Sequence, residues 1–116
     1  MAADLPPQLQ NQLQQLQQLQ SQAQVVVQQR QQMEVSARDL DRTLEELEKA
    51  APDAVIYRSI GGLLIRAKDR DTLLADLREQ KETTDVRLQT VKRQEERLRE
   101  RMTSLQKELQ AALGGA

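Results

Sequence analysis

The sequence of 116 residues contains no Cys, no His, no Trp and no Phe, and its only aromatic residue is Tyr57. Without Cys or His there is no thiol or imidazole nucleophile, no zinc site of the usual type and no side chain that titrates near neutral pH unperturbed. Most enzyme chemistry is disfavoured, and no cofactor is expected. The missing Cys also excludes disulfides, which fits a reducing compartment. Only 38% of residues are apolar, so a compact globule would lack the large side chains that usually fill its core. No apolar run approaches the ~20 residues that span a bilayer. The opening Met1-Ala2-Ala3-Asp4-Leu5-Pro6-Pro7 has neither a basic nor an apolar leader segment. The expectation is a soluble, cytoplasmic protein that makes no membrane contact.

Charge is abundant but balanced, with 17 basic against 18 acidic side chains and a net charge of −1. Residues 1–50 hold 7 acids and 4 bases, and residues 51–116 hold 11 acids and 13 bases. Neither half has the one-sided charge of a nucleic-acid-binding arm, so no nucleic-acid partner is expected. The run Lys92-Arg93-Gln94-Glu95-Glu96-Arg97-Leu98-Arg99-Glu100-Arg101 carries five bases against three acids. It reads as a solvated helix face rather than a basic DNA-reading region. Adjacent carboxylates such as Glu45 and Glu46 diverge by about 100° on a helix and share no site.

Two long segments carry apolar residues at a 3-4 spacing. In the first, Leu9, Leu16, Ala23, Arg30, Ala37 and Leu44 take heptad position a, and Gln12, Leu19, Val26, Met33, Leu40 and Leu47 take position d. Only Gln12 and Arg30 interrupt the stripe. In the second, Leu74, Lys81, Leu88, Glu95, Met102 and Leu109 alternate with Leu77, Thr84, Val91, Leu98, Leu105 and Ala112. A repeat of 3.5 residues keeps one seam facing a partner helix, which predicts a coiled coil. Residues 8–32 are rich in Gln, and no charged side chain occurs between residues 5 and 29. The leucines in that stretch keep their heptad spacing, so it reads as helix rather than as a disordered tract.

Pro6-Pro7 suits a helix start, Asp69 or Asp71 can cap the second helix, and Gly114-Gly115 can end it. The reading is one domain over residues 1–116, mainly α: a helix over about 7–50, a β-hairpin over about 54–68 and a helix over about 70–113. Two helices of similar length joined by a short connector predict a long antiparallel two-helix coiled coil. Position a then faces position d of the other helix, with paired residue numbers adding to 121 or 128, and the connector's midpoint near Gly61-Gly62 favours 121. This pairs Leu47 with Leu74, Leu44 with Leu77, Met33 with Leu88, Leu19 with Met102 and Leu16 with Leu105. Arg30 faces Val91, one turn from Glu95, and the two polar seam residues are expected to lean out of the seam and pair. The alternative is two side chains that snorkel independently.

The connector is β-favouring on both sides of Gly61-Gly62, and these glycines supply the positive φ of a two-residue hairpin turn. With Ile60 opposite Leu63, one face presents Ile56, Ile60, Leu63 and Ile65, and the other presents Val55, Tyr57 and Leu64. Both faces are too apolar for water, and a lone two-stranded hairpin with open edges is marginal. Hairpins from several chains joining into a shared sheet or barrel would resolve this, so an oligomer is expected with the hairpin as its assembly element. The competing arrangement is a hairpin folded back on its own helices. Both termini then lie at the far ends of the helices. There Leu5, Leu9, Leu13, Leu105, Leu109 and Leu113 supply more leucine than a helix end needs, amid uncharged Gln.

The stretches Leu5-Pro6-Pro7-Gln8-Leu9-Gln10-Asn11-Gln12-Leu13, Ala54-Val55-Ile56-Tyr57-Arg58-Ser59-Ile60-Gly61-Gly62-Leu63-Leu64-Ile65 and Arg93-Gln94-Glu95-Glu96-Arg97-Leu98 resemble the β-subunit family of archaeal prefoldin. The resemblance covers nearly the whole chain, and the hairpin between two equal helices is its specific part. It implies a hexamer of two α and four β subunits whose hairpins form a double β-barrel platform. It also implies an ATP-independent holdase that binds unfolded proteins at its coiled-coil tips and delivers them to a group II chaperonin. Carried over, Leu5, Leu9, Leu13, Leu105, Leu109 and Leu113 would contact clients, and Ile56, Tyr57, Ile60, Leu63, Leu64 and Ile65 would build the platform. The rival reading is a structural coiled-coil scaffold that binds one specific partner helix.

Overall fold

The computed structural model describes residues 5–114. Residues 1–4 and Gly115, used above for the leader and the helix end, lie outside the described residues. Helix α1 spans Pro7–Lys49, strands β1 and β2 span Tyr57–Ile60 and Leu63–Arg66, and helix α2 spans Arg70–Gly114. The chain divides into two compact units. A terminal unit joins Met1–Gln32 with Gln89–Ala116, and a hairpin unit comprises Met33–Leu88.

Local chemistry fixes the element ends. Pro7 sits at the first helical position, where its missing N–H costs nothing, and the Gln10 amide closes the first turn onto the Pro6 carbonyl at 3.1 Å. Helix α1 stops before Pro52, which cannot continue it, and the Ala54 amide closes a turn onto the Ala51 carbonyl at 2.9 Å. Its last carbonyls would be orphans, but the Arg70 guanidinium donates to Leu47 O at 2.7 Å and to Glu48 O at 3.1 Å. Of the two candidate caps for α2, the structure uses Asp69. Its carboxylate accepts from the Asp71 amide at 3.1 Å and the Thr72 hydroxyl at 2.7 Å.

In the hairpin unit the two helix segments run antiparallel, because Asp41 meets Lys81 while the later Glu48 meets the earlier Arg78. Leu44, Leu47, Leu73 and Leu74 form its buried core, with Ile56, Ala67 and Leu77 packed against it. Leu47, Leu74, Leu44 and Leu77 thus all lie in one cluster. Leu73 lies off the heptad seam and is buried all the same, because the hairpin root at Ile56 and Ala67 covers its side of the helix. Each such leucine contributes about 1.5–3 kcal/mol of burial.

The hairpin is antiparallel, with Ile60 opposite Leu63, Ser59 opposite Leu64, Arg58 opposite Ile65 and Tyr57 opposite Arg66. Gly61 has φ 60, but Gly62 does not share the positive φ expected of both glycines. A positive φ at the first turn residue alone is the pattern of a type II′ turn, which needs glycine only there. Position 62 is thus open to other residues, and a Cβ added there would meet nothing within 4 Å.

In the terminal unit the segments also run antiparallel, since Gln12 meets Glu108 and Arg30 meets Glu95. Leu19, Leu105 and Leu109 are buried, and Leu9, Leu13, Leu16, Leu98 and Met102 pack on them. Arg30 and Glu95 do pair, Nε to Oε2 at 2.5 Å, but they do not lean out: Glu95 is only 8% exposed. The reason is charge balance. Arg99, one turn on, donates to the other carboxylate oxygen at 3.3 Å, so Glu95 is satisfied inside the seam and gains nothing by reaching for water.

Candidate assembly and client-binding surfaces

The hairpin exposes what most proteins bury. Every residue of β1 and β2 is exposed, and Leu63 and Leu64 reach 68% and 73%. Strand alternation from the observed register puts Arg58, Ile60, Leu63 and Ile65 on one face and Tyr57, Ser59, Leu64 and Arg66 on the other. Only the root is covered: the Ala67 amide adds one more rung onto the Ile56 carbonyl at 2.8 Å, and both residues rest on the leucine core. The strands stay exposed along their length, although Tyr57 and Ser59 border a crevice with Arg42, Thr43 and Glu46 of α1. Among the described residues the sheet has two strands, so both outer edges present unpaired backbone groups. Such a surface is suited to pairing with further strands while its side chains are withdrawn from water.

The terminal leucines behave differently. Leu105 and Leu109 lie in the seam, Leu109 at 5% exposure. Leu5, Leu9 and Leu13 are half-buried, and Leu113 alone of the six is open, at 56%. Heptad counting already assigns Leu105 and Leu109 to seam positions, so the structure brings them together as core and leaves Leu113 as surface.

One polar feature of the hairpin unit was only half legible. Lys81 occupies a seam position, and its ammonium is shared by Asp85 at 2.8 Å and Asp41 at 3.1 Å. These hydrogen bonds, that to Asp85 first, hold the Lys81 ammonium above its ordinary range. Asp41 adjoins the seam residue Leu40, and that neighbouring position is the signal that marks it as a partner for a charge across the seam.

Among the described residues no group of His, Cys, Asp and Glu is placed to hold a metal ion. No helix is long and apolar enough to cross a membrane.

Comparison with known proteins accounts for this arrangement. The family described as "Prefoldin subunit" matches residues 10–116. The chain belongs to the prefoldin subunit family. It is 48% identical over 114 residues to a prefoldin subunit beta of Methanococcoides burtonii, covering 98% of this chain and 97% of that one. It is 50% identical over 111 residues to a prefoldin subunit beta of Methanocella arvoryzae, covering 96% and 87%. The crystal structure of the prefoldin beta subunit from Thermococcus strain KS-1 superposes with a TM-score of 0.85 at 38% identity, covering 95% of this chain and 96% of that one. Prefoldin membership implies a chaperone-type function and assembly with other prefoldin subunits.

Proposed function

We propose that this chain is a cytoplasmic, ATP-independent holdase subunit. Its hairpin joins it to prefoldin α subunits in a hexamer of two α and four β chains, and its helix ends hold unfolded proteins for delivery to a group II chaperonin. The observation that supports assembly best is that every residue of the two strands is exposed, Ile60, Leu63, Leu64 and Ile65 among them. Ile60, Leu63 and Ile65 on one face and Tyr57 and Leu64 on the other become the interior and rim of a shared double β-barrel platform, with Ile56 anchoring each hairpin to its own helices.

Clients are met by Leu113 and Leu5 first and by the half-buried Leu9 and Leu13 next. Leu105 and Leu109 close the seam beneath them and join only when the last turns part, as helix ends readily do. The flanking glutamines carry no charge that would select among client sequences. Tyr57 lies in the hairpin, so client contact rests on aliphatic side chains. Each contact is weak, but several subunits engaging one client raise the effective concentration of every further contact while leaving release possible.

The test is suppression of aggregation of a denatured client by the complex with α subunits, without nucleotide. Protection is expected to survive without ATP and to vanish when about ten residues are removed from each terminus, where multivalent contact resides. A trimmed complex of unchanged subunit composition that still protects the client overturns the proposal.

A further inference from the structure

Within the terminal unit, α1 and α2 border a shallow groove lined by Val25, Val26 and Leu98, by Arg97 and Arg101, and by three glutamines. Val25 is the anomaly. The equivalent outward heptad positions of this part of α1 hold Asn11, Gln18 and Gln32, yet Val25 stands 54% exposed. A β-branched side chain at an exposed helix site gives up helix propensity, and nothing in the seam requires it, since Val26 already fills position d.

The arginines are equally unaccounted for. Arg97 and Arg101 are one turn apart on the same face, a like-charge spacing that weakens a helix. Among the described residues neither forms an ion pair, whereas Glu95 is taken by Arg30 and Arg99. The opposing wall offers no relief, because α1 carries no charge between residues 5 and 29. Two uncompensated cations beside the exposed Val25 and the half-buried Val26 and Leu98 define complementary chemistry: apolar side chains flanked by carboxylates. The lining from Gln22 to Gln29 on α1 spans about two helical turns. This matches a short helix laid along the pair, whose apolar face meets Val25 and Leu98.

We infer that this groove is a docking site for an acidic amphipathic helix of a partner protein, separate from the terminal leucines and independent of the chaperone reading. A phosphate backbone is a poorer fit, since the lining includes Val25, Val26 and Leu98 and offers no aromatic ring for base stacking.

The test is fluorescence anisotropy of the full chain with three labelled probes. These are a short helical peptide with a leucine stripe flanked by Glu, the same peptide with Lys for Glu, and a single-stranded oligonucleotide. The acidic peptide is expected to bind, to weaken with salt, and to lose about tenfold in affinity in Arg97→Gln/Arg101→Gln and again in Val25→Ser. Glutamine is a good helix former, and circular dichroism confirms that the helices persist. Arg97→Lys/Arg101→Lys is expected to retain most of the binding. Removal of about ten residues from each terminus leaves the groove residues in place and should not affect the peptide, which separates failure here from failure of the tip model. Equal binding of the Lys peptide, preference for the oligonucleotide, or an acidic peptide indifferent to the Arg→Gln pair overturns the assignment.

Discussion

The hairpin unit and the terminal unit handle apolar side chains in opposite ways. The terminal unit buries Leu19, Leu105 and Leu109 against each other along a seam, leaving open only isolated residues such as Leu113 and Val25. The hairpin unit buries a comparable set of leucines but also carries a sheet in which every strand residue is exposed. Two helices can satisfy one another because each offers a single apolar stripe. A two-stranded hairpin has two faces and two edges and cannot do so. Aliphatic side chains gathered on both faces of one exposed hairpin suit a lasting interface, while scattered aliphatics at helix ends suit contacts that form and release. Charge divides in the same way: the terminal unit holds seven basic and five acidic side chains, the hairpin unit ten and thirteen.

The sharpest way to break this comparison is to make the hairpin polar. Leu64→Asp with Ile65→Asp places a carboxylate on each face of β2 and should abolish assembly with α subunits, read as loss of the large complex by native mass measurement. Helix content should be unchanged, since both residues are exposed and neither belongs to the buried leucine core. An intact complex would show that the exposed strands are not the interface.

Next in size are the two cores. Leu74→Ala should cost about 2–5 kcal/mol in denaturant unfolding, the range for a buried leucine. Leu109→Ala should lie at the low end of about 2–5 kcal/mol, because the last turns of α2 can relax around the gap. Equal losses would argue that the helix ends are as rigid as the hairpin root.

Smaller again are the seam charges. A double-mutant cycle on Arg30 and Glu95 should give a coupling of about 1–2 kcal/mol, because the pair is largely enclosed and Glu95 would otherwise be left in the seam with one cation fewer. The cycle on Lys81 and Asp41 should give less, because Asp41 is more than half exposed and water screens it. The reverse order would mean that the enclosed pair does little more than recover its own desolvation.

How much of this was legible in the sequence follows from what each feature depends on. The seam depends on spacing alone, and Leu19, Leu44, Leu47, Leu74, Val91 and Leu105 are buried where heptad counting put them. The strand register depended on one turn, and Ile60 does face Leu63. The misses arise where a third group intervenes. Leu73 is core because the hairpin root covers it. Glu95 stays in the seam because Arg99 joins Arg30. Arg70, unremarked in the sequence, caps α1 across a gap of more than twenty residues, which no local pattern reveals. Leu105 and Leu109 could be read as tip or as seam from the same spacing, and only the packing shows them to be closed.

The finest distinction between the units lies in how their helices begin. Helix α1 starts on Pro7 with no acidic residue in its first turn, whereas α2 starts behind Asp69. The Thr72 hydroxyl, followed by the Asp71 amide, holds the Asp69 carboxyl below the usual carboxylate range. A carboxylate whose folded pKa is depressed adds stability above its unfolded pKa, and that stability is lost as pH falls through the folded value. The start of α2 should therefore loosen in the acid range while the start of α1 does not. Amide hydrogen exchange reads this directly: protection at Leu73 should decline as pH falls below the ordinary aspartate range, after correction for intrinsic rates, and protection at Gln10 should hold. Asp69→Asn keeps a capping side chain but removes the charge, so in that variant the acid loss at Leu73 should disappear while some protection remains at neutral pH. If Leu73 still loses protection in acid without the Asp69 charge, the pH sensitivity comes from elsewhere in the acidic hairpin unit, and the cap is held by hydrogen-bond geometry alone.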